Sequence, residues 1–98
     1  MTTGNAVVHQ ATIDYLPRSD QEMAGLRLTI PRGEEIAFIV IPFATLQVVA
    51  IKLTSDDEAS MRDAFVDHAF ALNAKLSNRV SRLGADEILL VTPVMLRE

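Results

Sequence analysis

Between Ser55 and Gly84 the apolar side chains Met61, Phe65, Leu72, Leu76, Val80 and Leu83 return at steps of three or four, with His68 in the same stripe. At about 100° per residue these positions stack along one side of an α-helix, so the stretch predicts a long helix with one core-facing stripe. Both ends carry matching chemistry. Ser55 and Glu58 have the spacing of a capping box, in which a hydroxyl and a carboxylate satisfy the amide donors of the first turn. Gly84 offers the left-handed position that closes many helices. Asp56, Asp57, Glu58, Asp63 and Asp67 gather toward the start, and Lys75, Arg79 and Arg82 toward the end, as the helix dipole favours.

Two residues break the pattern. With Met61 set at zero, Val66 falls near about 140° and Phe70 near about 180°, so both point away from the main stripe and form a short apolar ridge.

Shorter periods govern the first half of the chain. Ala6 to Leu16 reads as a strand, with Val7, Ala11, Ile13 and Tyr15 in one phase, His9 among them, and Gln10, Thr12 and Asp14 in the other. Pro17 to Ala24 is polar and aperiodic, a loop. Gly25 to Ile30 alternates Leu26, Leu28 and Ile30 against Arg27 and Thr29, which predicts a half-buried strand. Pro31, Arg32 and Gly33 supply turn chemistry. Glu35 to Ile41 then returns with both phases apolar, Ile36, Phe38 and Val40 against Ala37, Ile39 and Ile41. Such a strand is expected to be central or covered on both faces.

Pro42 to Leu53 pulls two ways. Pro42 suits a first helical turn, and Phe43, Leu46, Val49 or Ala50, and Leu53 fit a helical stripe, whereas Val48, Val49 and Ile51 also suit a strand; a short helix is the reading adopted. Glu87 to Thr92 reads as a last strand ended by Pro93, Val94 to Glu98 carries no assignment, and the small polar residues Met1 to Asn5 are expected to fray. The sum is one α+β domain spanning residues 1–98: a small antiparallel sheet packed against one long helix in the C-terminal half, with a short additional helix.

Gly33 to Val40 (GEEIAFIV), Leu46, Ala64 to Leu76 (AFVDHAFALNAKL) and the short strand Ile88 to Val91 together resemble a family of small bacterial proteins known as domain of unknown function 1488. The resemblance spans roughly two thirds of the chain; the N-terminal part is longer here, and the aromatic character near the first strand is reduced to Tyr15. It implies a compact α+β fold. No activity or catalytic residue comes with it.

Composition narrows the function classes. A net charge of −4, with the basic residues scattered, removes the electrostatic footprint on which nucleic-acid binding depends. The longest apolar run, Ile36 to Ile41, is strand-sized, so no membrane span and no leader segment are expected. With no cysteine there is neither a disulfide framework nor a thiolate ligand, which fits a reducing cytoplasm.

Candidate chemistry is sparse. The four glycines lie too far apart to cradle a phosphate, and no serine sits in a nucleophile elbow. His9 and His68 could meet across the sheet and helix with Asp14 to bind a small ligand, but their spacing is not that of a helical metal pair, and neither a metal nor a cofactor is expected. Arg18, Arg27 and Arg32 could gather beside the hairpin to take an anion. What remains is the ridge. Either Phe43, Leu46, Val49 and Leu53 fold back over Val66 and Phe70, or a second chain, most simply in a homodimer, covers that ridge together with Ala37, Ile39 and Ile41. The expectation is therefore an interaction protein that self-associates, with a small-ligand or metal-binding module, or a weak enzyme, using His9, Asp14 and His68 as the alternative.

Overall fold

The computed structural model describes residues 6–97, so the segment expected to fray, 1–5, and Glu98 lie outside the described residues. The fold grows from the hairpin. Strands β2 (Gly25–Arg32) and β3 (Glu35–Pro42) pair antiparallel with Arg32 opposite Glu35, leaving Gly33 and Glu34 as a two-residue turn. Gly33 takes the left-handed φ of 63° that such a tight connection requires. Pro31 and Arg32, expected in the turn, instead finish β2.

Strand β1 (Thr12–Leu16) adds antiparallel to β2, and β4 (Ile88–Leu90) adds to β3 in the parallel sense, giving the order β1-β2-β3-β4. The sheet is thus mixed, not antiparallel throughout. Its direction at β4 follows from the helix before it. Helix α2 (Glu58–Ser81) has 24 residues and is about 36 Å long, enough to carry the chain back along the whole length of β3 before β4 begins. Tyr15 ties to Asp56 at one end of α2, and Arg32 ties to Val80 at the other, which fixes that direction.

The N-terminal stretch is only half strand. Ala6 bridges to Arg32, a 3-10 turn occupies Val8–Gln10, and β1 starts at Thr12. The turn is held on α2 because the Val8 N–H donates to Asn73 Oδ1 (2.9 Å) and the Ala6 N–H to Ser81 Oγ (3.0 Å). Pro42 to Leu53 resolves as one helical turn, α1 (Phe43–Leu46), followed by a turn rather than a second helix or strand. Pro93 opens a short helix, α3 (Pro93–Arg97).

One face of the sheet carries the core. Leu26, Leu28, Ile30, Ala37, Ile39 and Ile41 meet the α2 stripe of Met61, Phe65, Leu72, Leu76 and Val80, all buried, with Leu83 at the margin. The spacing argument for α2 holds along its length, but its caps differ. The N-cap is Asp57, not Ser55, and the Ser55 hydroxyl donates to the Asp57 carboxylate. Past the helix, Gly84 does not adopt positive φ; its N–H donates to Glu87 Oε1 at 2.5 Å.

Candidate functional site

The alternation of a strand sends its second phase to the opposite face, and here no element of the described chain buries that phase. Across four strands the outward positions form two rows. Thr12, Thr29, Phe38 and Ile88 make one; Asp14, Arg27, Val40 and Leu90 make the next. Ile36 extends the block along β3. Ile36, Ile88 and Leu90 are between 55% and 62% exposed, and Phe38 and Val40 are half-buried. Five contiguous apolar side chains on β3 and β4 therefore face solvent. On the β1 side the rows turn polar, and their two charges, Asp14 and Arg27, approach each other at 3.4 Å.

This reverses the expectation for β3. Ala37, Ile39 and Ile41 are buried against the helix at 4%, 0% and 0% exposure, so they are core and not interface. The register explains the error. Because Gly33 and Glu34 alone form the turn, Arg27 pairs with Val40 and Thr29 with Phe38, which puts the apolar residues of β3 on the polar phase of β2. The polar phase of β2 was the signal that could have identified the outer face.

The helical ridge is also exposed. Val66 is 64% and Phe70 75% accessible, and Phe43, Leu46, Val49 and Leu53 do not cover them; Leu46 and Leu53 belong to the core. The partial cover that Phe70 has comes from His9, whose ring stacks on it with centroids 4.5 Å apart at 26°. The ridge is narrower than the sheet face, since Asn73 and Ser81 further along α2 are engaged by the N-terminal segment.

The three residues grouped as a ligand site do not converge. His9 lies on Phe70, Asp14 is on the outer sheet face beside Arg27, and His68 lines a groove between residues 50–55 and the first turns of α2. That groove has a volume of about 510 Å³ and includes Asp63, Asp67 and Lys52 on its walls. No group of three metal-ligating side chains occurs among the described residues. The arginines are equally separate: Arg18 pairs with Asp56 at 2.6 Å, Arg27 with Asp14, and Arg32 reaches the end of α2.

The start of α2 carries the clearest electrostatic feature. Asp57 accepts from the Ser55 hydroxyl, from the Ser60 N–H at 2.9 Å and from the Ser60 hydroxyl at 2.9 Å, which lowers its pKa from 3.8 to about 2. Nearby, the Tyr15 hydroxyl donates to the Asp56 carbonyl at 2.7 Å; burial first, and then the charges of Asp56 and Asp57, raise its pKa above the ordinary 10.0. A depressed carboxylate stabilises the fold above its unfolded pKa and loses that contribution as pH falls through the folded one. Acid unfolding should therefore steepen between pH 3.8 and about 2. The Asp57→Asn variant keeps an acceptor at the cap but cannot titrate, and thermal melts across that window should show a shallower fall than the parent. Parallel curves would mean that the cap does not govern this acid limb.

No helix among the described residues is long and apolar enough to cross a membrane. No family model, curated protein or solved structure matches the chain.

Proposed function

We propose that the protein works as an interaction module whose operative surface is the outer face of its sheet, and that it acts by binding a polypeptide there. The observation that carries this reading is the contiguous block of Ile36, Phe38, Val40, Ile88 and Leu90, left open while all the helices serve the other face. A two-layer fold that exposes an apolar sheet face gains from covering it, and polypeptide surfaces offer the matching shape. The ridge of Val66 and Phe70 is the smaller of the two open surfaces and is assigned a secondary place.

Photo-crosslinking separates them. A benzoyl-phenylalanine placed at Phe38 should form a polypeptide adduct in cells, while the same group at Phe70 should form little. Adducts from Phe70 alone, with none from Phe38, would move the working surface to the helix and overturn this assignment.

A further inference from the structure

We infer that the occupant of the outer sheet face is a second copy of this chain, joined by a two-fold axis that lies between the two sheets and runs across their strands. The inference rests on the reading of that face as the working surface and adds the partner and its register.

Three observations point to a copy. The first is the row pattern. A two-fold placed between the Phe38 row and the Val40 row turns each row onto the other, so Val40 lies over Phe38 of the second copy and Leu90 over Ile88. The same operation sets Arg27 over Thr29 and Asp14 over Thr12. Apolar positions thus meet apolar ones and polar positions meet polar ones, the self-complementarity that an isologous contact demands.

The second is charge. The chain carries −4 overall, so two copies repel across most orientations, but the two charges of the outer rows are the opposed pair Asp14 and Arg27, and the face is locally neutral. In this register neither Asp14 nor Arg27 lies over a charged residue of the second copy. The third is shape. Two sheets pack face to face with strands about 30° apart because both are twisted, and two copies of one sheet share the same twist by identity. The assembly would be a four-layer sandwich of helix, sheet, sheet and helix.

Light scattering on the purified full chain at micromolar concentration should give twice the monomer mass. Val40→Lys or Phe38→Glu alone should raise the dissociation constant by about 100-fold or more, since each buries a lone charge in the contact. An equimolar mixture of the two variants should recover dimer, because the register sets the new lysine against the new glutamate once per pair. Circular dichroism melts on each variant establish that it is folded. Two singly disrupted variants that do not rescue each other would overturn the register. A dimer that survives both substitutions but dissociates in Phe70→Asp would overturn the choice of face. A monomeric parent would overturn the second-copy inference, and the photo-adduct at Phe38 then decides the underlying reading on its own: an adduct to a different polypeptide sustains it, and no adduct ends it.

Discussion

Replacing Phe65 with alanine lowers the stability of the fold by about 3–5 kcal/mol, whereas replacing Phe70 with alanine costs no more than about 1 kcal/mol. The two residues are the same type, on one helix, five positions apart, so the comparison removes helix propensity from the difference. Phe65 is 2% exposed within the core cluster between α2 and the sheet, and truncation leaves a cavity whose lining loses its contacts. Phe70 is 75% exposed and gives up its stacking with His9 and little else in the single chain. Urea unfolding at low protein concentration, compared at equal slope, reads both values. A Phe65→Ala penalty as small as that of Phe70→Ala would show that the helix is not rotated as described.

The contrast between those two phenylalanines was already present in the sequence, and it was legible because α2 is long. Over seven turns a 3.6-residue period accumulates enough positions to fix the rotation of the helix, and each buried residue of the stripe sharpens it. The strands are different. In β3 both phases are apolar, so alternation alone cannot say which side is inward. The decision came from the turn: moving it from Pro31 through Gly33 to Gly33 and Glu34 fixes the pairing of Arg27 with Val40, and Val40 goes outward with it. Ile88 to Leu90 offers only three residues, too few for a period, and its parallel direction follows from the span of α2 rather than from any local signal. His9 could not be placed from its phase, because the 3-10 turn at Val8–Gln10 interrupts the strand in which it was counted.

Arg32 is a residue that the sequence placed in a turn and the fold places inside, and its substitution should cost about 2–4 kcal/mol. It is 4% exposed at the end of β2, and its Nη1 donates to the Val80 carbonyl at 2.9 Å and the Leu83 carbonyl at 2.7 Å. These oxygens lie at the C-terminal end of α2, where the helix concentrates partial negative charge, and the Val80 carbonyl also accepts the Leu83 N–H at 3.2 Å. No carboxylate among the described residues pairs with Arg32, and its Nε is buried without a partner. The cation is thus held by the helix end itself, two charge-assisted bonds offsetting a considerable desolvation cost. That balance predicts an order among variants. Arg32→Met removes the buried charge but takes the guanidinium donor from the Leu83 carbonyl and leaves the Val80 carbonyl with backbone donors alone, while Arg32→Lys keeps a buried charge on a group without the planar fork, so lysine should be at least as damaging as methionine. Amide exchange adds a local reading: in either variant, protection in the last turn of α2 should fall more than protection around Phe65. A methionine variant within about 0.5 kcal/mol of the parent, with unchanged exchange at Val80 to Leu83, would show that the helix end is secured without the guanidinium.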